Sequence, residues 1–227
     1  DLVRSRGLGD VYKRQIQCFV CNPFQENTYI VSDSTGEAII IDCGTCFPNE
    51  HNAIKEYIIA NQLKPVMLLG THGHLDHHIG DSFVYNTWGL KPQVHIGDKE
   101  LMQMLPEQAN TLLNMSLSDD EIAPIGKYLS GDDIIKFGHH EFTIIETPGH
   151  SPGSVIFYCK EEDLCFSGDM LFKGSIGRTD LPGGSMFQMI QSLRRICQLP
   201  DSTKVYSGHG EPTTIGYEVA TNPYLDR

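Results

Sequence analysis

The chain has 227 residues, of which 40% are hydrophobic and 20% charged; that supports the buried core of one large domain and excludes a disordered chain. Asp and Glu number 29 against 17 Lys and Arg, a formal charge of −12, so duplex nucleic acid and anionic membrane are poor partners. No apolar run approaches the ~20 residues of a membrane-spanning helix.

Residues 1–15, DLVRSRGLGDVYKRQ, stand apart from the rest. They are basic, lack a helical or strand period, and have no apolar core of a secretory signal. They resemble translated adapter sequence. The expectation is a non-native or disordered head over 1–15 and one domain over 16–227. From residue 16 the segments 16–21, 28–32 and 38–41 read as a strand meander, with Asp33-Ser34-Thr35-Gly36 as the second turn. The run AIIID, ending at Asp42, reads as a strand buried on both faces. Ala53, Ile54, Tyr57 and Ile58 have helical spacing within 49–61. A short buried strand over 66–69 leads to Thr71, and a further helix is expected beyond residue 78. Segment 97–121 reads as a helix rich in Met and Leu. Such a stripe fills a core; a mobile lid over a site is the alternative. A second set of strands is expected at 134–137, 142–146, 154–159 and 164–167. An amphipathic helix over 186–196 and a last strand at 204–206 follow. Two blocks of strands, each followed by helix, predict a two-fold layered domain.

Seven cysteines include two C-x2-C pairs, Cys18/Cys21 and Cys43/Cys46. The spacing suits a structural zinc site. Phe19-Val20 between the first two are strand residues rather than turn residues, so buried free thiols are the better expectation. That residue pair and the acidic charge also disfavour a zinc-ribbon binding module. The odd count favours a reducing, cytoplasmic compartment.

Chemistry concentrates in THGHLDHH, residues 71–78. His72, His74, Asp76 and His77 place four ligand-type side chains in six residues. In an extended loop alternate residues face one way, so His72 and His74 converge on one ion, leaving Asp76 and His77 for a second. Imidazole and carboxylate suit zinc, and also iron or manganese. His150, Asp169 and His209 follow predicted strands beside glycine, where the backbone approaches an ion closely. His78 is expected beside the site rather than in it. His51, His95, His139 and His140 have no partner motif and read as solvated.

These motifs, with TPGHSPGS at 147–154, FSGDMLFKGSIGRTDLPGG at 166–184, GHGEPTTIGYE at 208–218 and NPYL at 222–225, resemble those of the metallo-β-lactamase superfamily. Within it the chain is similar to the short glyoxalase II-like (hydroxyacylglutathione hydrolase-like) proteins, over residues 16–227. The resemblance implies an α+β fold: a four-layer αβ/βα sandwich, two mixed sheets flanked by helices. It implies two Zn2+ per chain, one held by His72, His74 and His150, the other by Asp76, His77 and His209, with Asp169 bridging. Asp76 and Asp169 are then the catalytic carboxylates. Asp42 supports the ligands from behind, with a plain turn-forming Asp as its alternative. Arg178 holds a substrate carboxylate, or pairs internally with Asp180. A carboxylate at 169 differs from the thiolate of the best-known β-lactamase subgroup and argues against antibiotic hydrolysis as the native activity.

The implied function is hydrolysis of a thioester such as S-lactoylglutathione by a hydroxide shared between two ions. The partner is a small acyl-thiol, with no nucleic acid or membrane, and the chain is a monomer or homodimer. Full-length glyoxalase II carries a C-terminal helical domain that grips glutathione; the sequence ends at Arg227, so weaker glutathione recognition is expected. Rivals are a mononuclear-iron persulfide dioxygenase using His72, His150 and Asp169, and a lactonase.

Overall fold

The computed structural model describes residues 14–118 and 121–225. The head expected at 1–15 thus falls mostly outside the described residues, but its last two positions do not. Gln15 already opens the first strand, and the buried Arg14 guanidinium lies 2.5 Å from Glu162 and over the Phe142 ring. Arg14 is held by charge pairing and ring packing, and Gln15 by its strand pairing with Ser32.

The first sheet has six strands in chain order: β1 (Gln15–Cys21), β2 (Glu26–Ser32), β3 (Glu37–Ile41), β4 (Lys64–Leu69), β5 (Pro92–His95) and β6 (Lys127–Leu129). β1 to β3 pair antiparallel, and β3 to β6 pair parallel. Helices α1 (Pro48–Ala60) and α2 (Asp81–Trp88) cross between parallel strands. They are followed by α3 (Lys99–Gln103) and α4 (Leu105–Leu113). The second sheet is built from β7 (Ile134–Phe137), β8 (His140–Glu146), β9 (Val155–Cys159) and β10 (Leu164–Gly168). A small hairpin, β11 (Leu171–Phe172) and β12 (Ser175–Ile176), precedes α5 (Met186–Ile196). The chain then returns as β13 (Lys204–Ser207), β14 (Thr213–Thr214) and α6 (Ile215–Thr221). The order of this sheet is β14-β13-β10-β9-β8-β7, with β10 and β13 parallel and the rest antiparallel.

Side-chain alternation explains the layers. In β3, Ile39 and Ile41 face the second sheet, where they meet Phe142, Phe157 and Phe166. Ala38 and Ile40 face the opposite way onto Ile54 and Ile58 of α1 and Val84 of α2. Both faces are buried, as the run AIIID requires. In β9, Phe157 points to the sheet interface while Ile156 packs on Met189 and Leu193 of α5. The result is the α+β four-layer sandwich, two mixed sheets face to face with helices outside. No helix of the described residues is long and apolar enough to cross a membrane.

Several expected elements differ. The single helix over 97–121 is two helices, because Pro106 opens α4 and lacks the N–H that would continue α3. Asn114, at φ 52°, ends α4, and residues 114–118 are irregular. Leu101, Met102 and Leu105 are buried, whereas Met104 and Leu112 turn to a cleft, so the segment both fills a core and walls a site. Cys21, Cys43, Cys159, Cys165 and Cys197 are buried, but Cys18 is exposed on the edge strand β1 and Cys46 is half-buried. The solvated reading fails for three of four histidines. His95 is buried and contacts Glu146 at 3.0 Å; His140 is buried against Glu162 at 2.9 Å. His51 stacks on Phe83, centroids 4.2 Å apart. Only His139 is exposed.

Candidate metal centre

Strand ends from both sheets deliver the seven predicted side chains to one place. The end of β4 releases Gly70-Thr71 and then His72 and His74. A 3-10 turn, Leu75–His77, presents Asp76 and His77. His150 follows β8, Asp169 follows β10, and His209 follows β13. Potential ligand atoms group within 4.8 Å as His72/His74/His150, as Asp76/His77/His209, and as His72/His77/Asp169. His74 Nδ1 and His150 Nε2 are 2.8 Å apart. Asp169 reaches all around: Oδ1 is 3.4 Å from His77 Nε2, and Oδ2 is 3.6 Å from His150 Nε2 and 3.5 Å from His209 Nε2. Asp76 Oδ2 is 3.3 Å from His209 Nε2. At Gly208 a Cβ would collide with the Asp169 carboxylate, so glycine there lets the two loops close.

Groups behind the site fix the orientation of four of these imidazoles. His77 Nδ1 meets Asp42 Oδ2 at 2.9 Å, and His150 Nδ1 meets the Arg178 carbonyl at 2.7 Å. His209 Nδ1 faces the Phe24 and Gln25 carbonyls at 3.0 and 3.2 Å, and His72 Nδ1 the Thr71 hydroxyl at 3.1 Å. Each leaves Nε2 turned inward, the arrangement that keeps a histidine ready to ligate. His72 Nε2, His77 Nε2 and Asp169 Oδ1 are buried with no hydrogen-bond partner. Buried polar atoms left unpaired are costly, and divalent cations among them would satisfy all three. The donor set therefore fits divalent metal.

Electrostatics agree with a site built for positive charge. Burial, joined by His77 and His150, holds His72 well below its ordinary range, and burial with His150 brings His74 down to about 4. Burial works against a proton on His77, but Asp76, Asp169 and Asp42 outweigh it and hold that proton. His209, likewise opposed by burial, is raised to about 10 through its bonds to Asp169 and Asp76.

Asp42 lies behind the cluster: Oδ1 accepts from Thr71 N at 2.7 Å and Oδ2 from the Thr71 hydroxyl at 2.8 Å. His78 is buried rather than superficial, with Nδ1 on Asp81 and Nε2 on the His72 carbonyl, both at 2.7 Å. Arg178 lies at the cleft rim and forms a two-bond pair with Asp180, both at 2.7 Å. Sequence reasoning missed four contributors. Glu26 is fully buried, 4.0 Å from His77 Nδ1, and burial pushes its carboxyl well above the ordinary range. Asn22 Nδ2 donates to the Asp76 carbonyl at 2.9 Å. Gln108 on α4 accepts from Leu75 N at 2.9 Å. Asp98 is buried between two ligand loops. A lone acid opening the apolar strand ENTYIVS was the one available signal for Glu26.

The centre floors a cleft of about 450 Å³. Leu101, Met104 and Leu112 of the α3–α4 segment line it, as do Phe24, Leu181 and Pro182.

The family model described as Metallo-beta-lactamase superfamily matches residues 21–209. Hydroxyacylglutathione hydrolase GloC of Haemophilus influenzae is 35% identical over 217 residues, 93% of this chain and 98% of that protein. The crystal structure of BLEG-1 B3 metallo-beta-lactamase superposes with a TM-score of 0.84 at 33% identity, covering 94% of this chain and all of that one. TTHA1623, solved in a di-iron-bound form, superposes with a TM-score of 0.80 at 34% identity, covering 92% and 100%.

Proposed function

The chain belongs to the metallo-β-lactamase superfamily, and we propose that within it the protein is a binuclear metallohydrolase that cleaves a thioester, S-lactoylglutathione or a related hydroxyacyl-thiol. The observation that carries this reading is the convergence of five imidazoles and two carboxylates, with unpartnered buried atoms among them, on the floor of an apolar-walled cleft. His72, His74 and His150 would hold one cation and Asp76, His77 and His209 the other, with Asp169 shared; zinc suits the donors, as do iron and manganese. A bound pair supplies Lewis acidity, lowering the pKa of water toward ~7 and polarising an acyl carbonyl.

The remaining work falls to the chain's own groups. Asp76 and Asp169, 3.3 and 3.5 Å from His209 Nε2, are the carboxylates placed to orient a water and accept its proton. Among the described residues lining the cleft there is no Ser or Cys, and direct attack by water would form no acyl-enzyme. A thiolate leaves without a strong general acid, which suits a floor whose imidazoles are committed elsewhere. The wall of Leu101, Met104 and Leu112 seats the aliphatic part of the substrate and keeps bulk water off it. Arg178 meets a carboxylate at the rim. The proposal places the protein in a reducing, cytoplasmic setting, as a monomer or homodimer, with a small acyl-thiol as its partner and no role for nucleic acid or membrane.

The dioxygenase alternative uses only His72, His150 and Asp169 and leaves the second trio idle, which favours the hydrolase. The test is metal content per chain of protein from unsupplemented cells, followed by a panel of S-lactoylglutathione, a lactone and a cephalosporin. Two zinc per chain with the thioester fastest supports the proposal. One iron with oxygen consumption on glutathione persulfide overturns it, and so does a preference for the lactone or the cephalosporin.

A further inference from the structure

Asp98 is fully buried and is no part of the ligand set. It closes a short 3-10 turn, Ile96–Asp98, between β5 and α3. Its Oδ2 accepts from Gly73 N at 2.7 Å and from the Ser151 hydroxyl at 2.6 Å, and its Oδ1 accepts from Gly153 N at 2.6 Å. A buried carboxylate is tolerated only when its oxygens are satisfied, and bonds to a charged acceptor are the short, strong ones. Gly73 lies between His72 and His74, whereas Ser151 and Gly153 follow His150. One side chain therefore ties together the two loops that carry that trio, from a third segment. The approach is built in: a Cβ at Gly153 would come within 2.8 Å of the Asp98 carboxylate.

We propose that Asp98 is a positioning residue that presets the His72–His74–His150 trio as a metal site by bridging its two loops; this rests on the metal reading above. The bridge explains how His74 Nδ1 and His150 Nε2, from loops 76 residues apart in sequence, are brought to 2.8 Å. The other trio is braced by different groups: Asp42 on His77, the Phe24 and Gln25 carbonyls on His209, and Asn22 on the Asp76 carbonyl. Loss of Asp98 therefore falls on one trio and spares the other, which a general loss of packing would not do.

The test uses Asp98→Asn, which keeps the shape but turns an amide N–H2 toward a donor, and Ser151→Ala, which removes one of the three bonds to the carboxylate, together with the contact to the Ser154 hydroxyl, and leaves the carboxylate in place. Zinc(II) affinity is read by competition with a chromophoric chelator. Long-range 1H–15N NMR of the imidazoles reads which histidines carry zinc. In Asp98→Asn one of the two zinc affinities falls about 10–100-fold. His72, His74 and His150 lose their zinc-bound signature while His77 and His209 keep theirs. Ser151→Ala shows the same selectivity at a few-fold loss, and it decides the matter alone if Asp98→Asn does not fold. Unchanged zinc affinities, even with a lowered melting temperature, overturn the proposal, as does equal loss at both trios. A wild-type protein that takes up neither zinc, iron nor manganese refutes the metal reading itself, and this proposal with it.

Discussion

Asp42→Asn is the sharpest test of how the second trio is held. Asp42 has φ 51°, a conformation Asn also tolerates, so the exchange changes hydrogen bonding rather than backbone. The native carboxylate faces three donors: Thr71 N at 2.7 Å, the Thr71 hydroxyl at 2.8 Å and His77 Nδ1 at 2.9 Å. An amide has one acceptor oxygen. Placed on the Thr71 N–H, it turns its own N–H2 toward His77 Nδ1. His77 then presents a bare Nδ1, and its proton moves to Nε2, the atom that faces Asp76 and Asp169. An N–H cannot ligate. Zinc affinity at Asp76–His77–His209 should fall about 10–100-fold, or roughly 1.4–2.7 kcal/mol. Loss of a bond to a charged group also costs stability, about 1.5–3 kcal/mol, which lowers the melting temperature of a domain this size by roughly 3–12 °C. Chelator competition and scanning calorimetry read the two effects. Zinc affinity within about twofold of wild type, with an unmoved melting temperature, would refute the tautomer argument.

Phe157→Ala should destabilise the protein by about 3–5 kcal/mol in denaturant unfolding, because Phe157 is fully enclosed between the sheets; a loss under about 1 kcal/mol would mean that the interface repacks. Arg178→Ala should leave the melting temperature unchanged, since the residue is exposed and already paired with Asp180, and should raise KM for S-lactoylglutathione several-fold; an unaltered KM removes Arg178 from the binding role. Burial holds His140 below its ordinary value of 6.5 despite Glu162. A depressed folded value favours the neutral ring, so the associated stability is present above the unfolded pKa and is lost as pH falls through the folded one. His140→Gln should therefore flatten the acid-side decline in melting temperature, and parallel curves for variant and wild type would discard that assignment.

The residues that were legible in the sequence share one property: their signal is local. AIIID announces a strand buried on both faces through its own composition. THGHLDHH announces a cation site because four ligand types crowd six positions, and His150, Asp169 and His209 each follow a strand and touch glycine. What escaped notice depends on partners far along the chain. Asp98 means nothing until Gly73 and Gly153 close on it, and Asn22 nothing until the Asp76 carbonyl lies beside it, 54 residues on. Gln108 is one more polar residue on a helix until its side-chain carbonyl meets Leu75 N, 33 residues back. β5 and β6, four and three residues long, are too short to carry a period. Pro106 lies inside a run of Met and Leu, and that run hides the break between α3 and α4. His95 and His140 read as surface residues because their partners, Glu146 and Glu162, lie on other strands or turns far along the chain.

The centre draws four of its side chains, His72 to His77, from the end of one strand of the first sheet, and the other three from the second sheet. The four emerge early in synthesis, before any strand of the second sheet exists, and domains begin folding in that order. A cation held by that first cluster would lack His150, Asp169 and His209 until the second sheet docked in register, since any other register would leave the ion short of ligands. Metal supply during translation would then bear on the yield of correctly folded chains, and not only on the activity of finished ones.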